Sequence, residues 1–166
     1  MDTQAHWDKA YTEKSDNQLS WFQEVPARSL AMIAAASSHG SVVDVGGGAS
    51  RLADALLDAG YADVTVLDIS QAALDRARAR LGARAAQMRW ICADITRWVP
   101  DRVWDVWHDR AVFHFLIGRK AQDAYIAALT AATHPGSAAI LSTFAPDGPE
   151  RCSGLPAQRY SADALA

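Results

Sequence analysis

Val42-Val43-Asp44-Val45-Gly46-Gly47-Gly48-Ala49-Ser50 runs a β-branched segment into three glycines, and Leu52, Leu56 and Leu57 open a helical spacing directly behind it. A buried strand, a tight turn and a helix N-terminus therefore follow one another. Glycine lets such a turn take positive φ and lets a ligand lie against bare backbone, facing the free N–H groups of the first helical turn. A Gly-rich strand–helix turn is shared by many mononucleotide and dinucleotide folds. Two details narrow it. Asp44 precedes the first glycine by two positions, and Arg51 stands where a dinucleotide fold needs a third small residue.

Outward from this turn, strand and helix alternate. Upstream, Pro26 suits a first helical turn, Leu30, Ile33, Ala34 and Ser37 keep helical spacing, and Gly40 stops it. Downstream, a second buried strand, Val64–Asp68, ends in an acid. A helix from Ser70 carries Leu74, Ala77 and Leu81 on one side and closes at Gly82. Strands follow at Met88–Cys92 and Trp104–His108, then a helix near 119–133, and Pro135-Gly136 turns the chain into a strand over Ala138–Phe144. This alternation predicts an α/β fold, a Rossmann-like three-layer sandwich with a parallel sheet in the order 3-2-1-4-5. A ligand is expected over the carboxyl ends of the strands, where that order reverses.

At 166 residues, half of them hydrophobic, the chain reads as one domain with a real core. Residues 1–24 place Trp7 and Tyr11 on one helix face and add Trp21 and Phe22, which reads as a flap over the core or a lid over a ligand. Residues 145–166 read as a tail loop and the start of a helix with Ser161 as N-cap. A net charge of −3 leaves no footprint for nucleic acid or an anionic membrane, and the stripe Arg76, Arg78, Arg80 reads as a solvated helix face. Two cysteines, Cys92 and Cys152, fit a reducing compartment and offer no metal-ligand spacing. No signal peptide and no apolar run of membrane-spanning length stand out, so a cytoplasmic protein without a metal is expected.

Strand ends bring the chemistry together. Asp68 falls twenty residues past Gly48, where a carboxylate can accept both hydroxyls of a ribose. Asp94 can accept from an adenine amine, with Ile69 and Ile95 as apolar walls, and Asp109 and Arg110 close the fourth strand. A helix N-cap explains Asp68 or Asp94 taken singly. A pyrophosphate wants donors and positive potential. A rim carrying Asp44, Asp68, Asp94 and Asp109 instead suits hydroxyls, an ammonium and a sulfonium, as in S-adenosylmethionine (SAM).

The segments Asp44–Ser50, Val66–Ser70, Ala93–Ile95 and Trp104–Phe115 together resemble the class I SAM-dependent methyltransferases, and the leader His6–Tyr11 with Ser20-Trp21-Phe22 is similar to that of small members whose relatives methylate protein lysines. The resemblance implies that Gly46 and Gly48 lie along the methionyl part, with Asp44 counted beside them. It implies that Asp68 and Ile69 hold ribose and adenine, that Asp94 and Ile95 hold the adenine edge, and that Tyr11 and Trp21 close over the cofactor. Asp109 or Arg110 then sits near the amino-acid end. Methyl transfer to a small-molecule or protein side-chain acceptor would leave S-adenosylhomocysteine (SAH). His114 is the first candidate base, with Asp109 and His108 behind it, against the plainer reading of His114 as a packed residue. Trp21, Phe113 and Phe115 are candidate cation–π partners of a sulfonium.

One departure stands out. Class I methyltransferases usually add a sixth and a seventh strand, and this chain stops before them. The fifth strand is then expected to be an edge exposing Ile140, Leu141 and Phe144, covered by a homodimer or by a rearranged tail. Two rival readings remain: a SAM- or SAH-binding protein without transferase activity, and a nicotinamide oxidoreductase, which Arg51 and the acidic rim oppose.

Overall fold

A computed structural model describes residues 3–13 and 22–165. Five strands form one sheet: β1 (Val42–Val45), β2 (Val64–Asp68), β3 (Arg89–Cys92), β4 (Trp104–Arg110) and β5 (Thr133–Ser142). All pairings are parallel and the order is β3-β2-β1-β4-β5, as the alternation predicts. Helices α1 (Thr3–Glu13), α2 (Ala27–Ala36), α3 (Leu52–Asp58), α4 (Gln71–Leu81) and α5 (Arg119–Ala131) surround it. Every residue of β1 and β2 is buried, because a parallel sheet wrapped on both faces leaves no wet side.

Side-chain parity splits the core into two layers. Val42, Val64, Val66 and Val106 pack with Ile33, Leu52, Leu56 and Leu74 of α2, α3 and α4. Val43, Val45, Leu67 and Trp107 pack on the other face with Tyr125 and Ala128 of α5. Even the polar Thr65 is spent inside this core, accepting from Trp104 Nε1 at 3.1 Å.

The fifth strand differs from expectation in two ways. It begins at Thr133 rather than Ala138, and its register jumps between Trp104↔Thr133 and Val106↔Ala138. Ser137 stitches this irregularity, donating to the Trp104 carbonyl at 2.7 Å while accepting from His134 N–H at 3.0 Å. Nor does the edge expose its apolar side chains. Ile140 belongs to the first core layer and Leu141 packs on the second, since side chains of a parallel strand point to the helical layers and only the backbone faces the edge. Phe144 stacks on His114, with ring centroids 4.8 Å apart.

Beyond β5 the tail makes a small hairpin, β6 (Arg151–Cys152) with β7 (Leu155–Pro156), and then α6 (Ala162–Leu165). It returns to the sheet end: Gln158 N–H donates to the His114 carbonyl at 2.8 Å and Tyr160 N–H to the Phe144 carbonyl at 2.9 Å. Among the described residues no helix is long and apolar enough to cross a membrane.

Candidate functional site

One cleft opens over the carboxyl ends of β1, β2, β3 and β4, with about 840 Å³ of empty space including its open mouth. Val45 and Gly46 floor it beneath Leu67, Asp68 and Ile69, and the stretch after β3 adds Ala93, Asp94 and Ile95. The far wall is Arg110, Ala111, Val112, Phe115 and Leu116. Thr3, Trp7 and Tyr11 of α1, each four residues from the next, cover one side, and Cys152 and Ser153 of the tail hairpin reach another. Trp7 meets Phe115 edge to face, with centroids 5.3 Å apart, which ties α1 to the segment after β4.

The glycine turn explains itself at two positions. Gly46 has φ +69°, and a Cβ there would lie 2.0 Å from Val112 Cγ2. Gly48 has φ +44°, and its Cβ would lie 2.9 Å from both Asp68 Oδ2 and the Tyr11 hydroxyl. Asp68 takes N–H donors from Ser70, at 2.8 Å, and from Gly48. Burial still pushes its carboxyl up to about 7, helped by the nearby charges of Asp44 and Asp8. Asp94 is half a capping residue: Oδ1 accepts from Thr96 N–H at 2.9 Å and from its hydroxyl at 2.8 Å, while the residue also lines the cleft.

The basic stripe on α4 is not uniformly solvated. Arg80 reaches across to the glycine turn, donating to the carbonyls of Ala49 at 2.9 Å and Ser50 at 2.8 Å and pairing with Asp54 at 2.7 Å. It clamps the turn from behind, and Arg76 donates to the Tyr11 carbonyl on α1. A helical wheel shows these arginines on the outside of α4; only the neighbouring elements show that the outside is covered.

Five candidate residues lie behind the cleft wall rather than on it. Asp109, wholly buried, accepts from Tyr125 Oη at 2.6 Å, Val112 N–H at 2.7 Å and Phe113 N–H at 3.0 Å. It thereby bends the chain through Ala111, whose φ is +77°, and aims Arg110 and Phe115 at the cleft. Burial pushes its carboxyl up to about 6 against those donors. Asp44 and His108 are buried together, Oδ1 to Nδ1 at 2.7 Å, with His108 Nε2 3.0 Å from Ser29 Oγ. His114 turns its ring toward Phe115 and Phe144, and neither ring nitrogen has a partner among the described residues. Burial pushes it down to about 4. Phe113 packs on Tyr125 and Tyr160 in the core.

Tyr11, Gly46, Asp68, Ile69, Asp94, Ile95 and Arg110 do come together at the cleft, and Gly48 supports Asp68 and Tyr11 from beneath. Trp21 lies outside the described residues. Sequence reasoning passed over Thr3, Asp8 and the inward role of Arg80. Thr3 was reachable from its spacing to Trp7 and Tyr11; the other two depend on contacts with distant elements.

A family described as a methyltransferase domain matches residues 42–136, more than half of the chain. The chain belongs to that family. Its resemblance to class I SAM-dependent methyltransferases therefore stands. A structure reported for the conversion of a disulfide bond into a thioacetal group during echinomycin biosynthesis is 27% identical, covering 98% of this chain and 76% of that chain at a TM-score of 0.70. The CcbJ methyltransferase from Streptomyces caelestis is 19% identical, with 88% and 60% covered and a TM-score of 0.69. The glycopeptide N-methyltransferase MtfA complexed with sinefungin is 18% identical, with 78% and 58% covered and a TM-score of 0.65; these last two share the fold. The chain spans 58% of MtfA and 65% of the matching chain in another similar structure, the DhpI-SAM-HEP complex. No curated protein matches it.

SAM, the donor such a domain implies, fits the residues present. An apolar cleft offers two carboxylates for hydroxyl and amine groups and one guanidinium for a carboxylate. Its floor, at Gly46, has no room for a side chain.

Proposed function

We propose that this chain is a cytoplasmic enzyme that moves the methyl group of SAM to a small-molecule or protein side-chain acceptor. The observation that carries the reading is the pairing of Asp68 and Asp94 on neighbouring strand ends above a turn closed to any Cβ at Gly46. Asp68 accepts the ribose hydroxyls, while Asp94, Ile69 and Ile95 hold the adenine. Gly46 lies along the methionyl chain and Arg110 takes its carboxylate. When bound, SAM supplies a sulfonium methyl that an acceptor lone pair displaces in line. Trp7, Tyr11 and Phe115 exclude water and present aromatic faces to positive charge. Asp109 positions the wall, and Asp44 with His108 supports the turn.

The experiment is calorimetry with SAM and SAH, followed by an SAH-release assay over an acceptor panel. A disulfide-bearing peptide belongs on that panel because of the reaction reported for the 27% identical structure. Micromolar binding and release of SAH with one acceptor class is the expected result. Binding of NADH instead of SAH overturns the reading. A second reading, a SAM- or SAH-binding protein without turnover, is favoured by one observation: His108 and His114 both lie off the cleft wall. Binding without release over the whole panel selects it. The outer backbone edge of β5, which pairs with no strand among the described residues, further suggests a homodimer there, and sedimentation at monomer mass removes that idea.

A further inference from the structure

Helix α1 is fastened at the cleft by a carboxylate that does not line it. Asp8 Oδ1 accepts from Ser70 Oγ at 2.6 Å and from Ala72 N–H at 3.3 Å. Ser70 Oγ accepts in turn from Ala73 N–H at 3.2 Å as the N-cap of α4, and Ser70 N–H donates to Asp68 Oδ1 at 2.8 Å. A short chain of hydrogen bonds thus joins α1 to the acid at the end of β2. Next to Asp8 in sequence is Trp7, and one turn on is Tyr11, both on the cleft wall. The Arg76 bond to the Tyr11 carbonyl is a second tie between α1 and α4.

Asp8 also acts through space. Its charge and that of Asp44 both disfavour ionisation of buried Asp68. From the other elements around Asp68 come the Tyr11 hydroxyl of α1 and the Cys92 thiol of β3, itself pushed up by burial and by Asp68. Arg76 of α4, occupied at Tyr11, is the nearby cation that these contacts identify.

We propose that Asp8 is a positioning residue for the methyl donor: it docks α1 over the cleft through Ser70 and Ala72, and its negative charge tunes the ribose-binding Asp68. This rests on the donor site proposed above. An ionised Asp68 accepts both hydroxyls, whereas a protonated one has lost an acceptor site. Donor affinity therefore rises with pH through the region where Asp68 ionises.

The test is SAH binding by calorimetry on the whole chain between about pH 5.5 and 8, for the wild type, Asp8→Asn and Asp8→Ala. Asparagine keeps an oxygen that accepts from Ser70 and Ala72 but carries no charge. It should bind within about threefold of wild type at the alkaline end and move the midpoint of the affinity rise downward by about half a pH unit or more. Alanine, checked for folding by circular dichroism, should bind about tenfold or more weakly, having lost the docking bonds as well. An unmoved midpoint in Asp8→Asn overturns the proposal, whatever Asp8→Ala does. If the wild-type chain does not bind SAH at any pH, the donor site itself is wrong and the proposal goes with it. Wild-type binding beside an inert Asp8→Asn sinks the role of Asp8 alone.

Discussion

Asp44 and His108 face each other across adjacent strands, Oδ1 to Nδ1 at 2.7 Å, directly beneath the glycine turn. Ser29 of α2 holds the other ring nitrogen at 3.0 Å, so β1, β4 and the helix layer meet in one polar link inside an apolar core. The second Asp44 oxygen lies where a Cβ on Gly47 would come within 2.5 Å, which makes the carboxylate a spacer under the turn. Both side chains lie beneath the turn and neither lines the cleft.

Breaking this link from one side should cost more than half as much as breaking both. A buried partner left without its hydrogen bond carries its full desolvation penalty. Asp44→Ala and His108→Ala should each destabilise the chain by about 2–4 kcal/mol, with a coupling of about 1 kcal/mol or more in the double-mutant cycle. Urea unfolding measures it. Additive losses would mean that the two groups do not depend on each other.

Gly46 and Gly82 separate strain from function. Both have positive φ, +69° and +59°, but only Gly46 has a neighbour within 4 Å of its would-be Cβ. Gly82→Ala should lose about 1–2 kcal/mol of stability and keep SAH affinity. Gly46→Ala forces Val112 out of the wall and should weaken SAH by at least about tenfold, a loss of roughly 1.4 kcal/mol. Thermal unfolding and calorimetry on the two variants decide it.

Strand order was legible because buried parallel strands are continuous apolar runs and each ends at a turn signal. The direction of an acid near a strand end was harder to read. Asp68 ends β2 and Asp94 follows β3, and both reach the cleft. Asp44 is third of the four residues of β1, so parity turns it toward α2, and Asp109 is turned toward Tyr125. A strand end is thus informative only to within one residue. Asp8 and Arg80 were illegible for a different reason: their partners lie 62 and 31 residues away in the chain, on elements whose contact only the fold creates.

Arg80 is the clearest case of a surface-looking residue that holds the glycine turn. Its side chain is 14% exposed against 52% for Arg78 on the same helix. Removing it frees the carbonyls of Ala49 and Ser50 and leaves Asp54 without this partner. Arg80→Ala should destabilise by about 1–3 kcal/mol and weaken SAH several-fold, while Arg78→Ala changes neither measurably. Equal effects of the two substitutions, read by urea unfolding and calorimetry, would remove the clamp.

Acid should stabilise the ligand-free chain. Asp68 and Asp109 have folded-state pKa values pushed up to about 7 and about 6 from an ordinary 3.8. Raised values mean that their contribution is full below about pH 4 and is lost as the pH climbs through 6 and 7. His114, pushed down from 6.5 to about 4, works the other way: its contribution is full above 6.5 and is lost on acidification. Two carboxylates against one imidazole leave a higher Tm near pH 5 than near pH 7.5. Scanning calorimetry on the wild type and on Asp109→Asn checks this, with a smaller difference expected in the variant.

His114 offers the sharpest contrast between packing and chemistry. Its ring is fully buried, stacked on Phe144 and edge-on to Phe115, and both nitrogens lack partners among the described residues. A phenylalanine occupies similar space without the unpaired polar atoms. His114→Phe should gain about 1–2 kcal/mol, hold its stability to lower pH than the wild type, and keep SAH affinity. It should also keep turnover on any acceptor that the panel identifies, since the ring does not line the cleft. A base acting in the reaction would instead lose about a hundredfold or more in kcat with SAH binding intact. That result, from initial rates beside a calorimetric control, would return the imidazole to the mechanism.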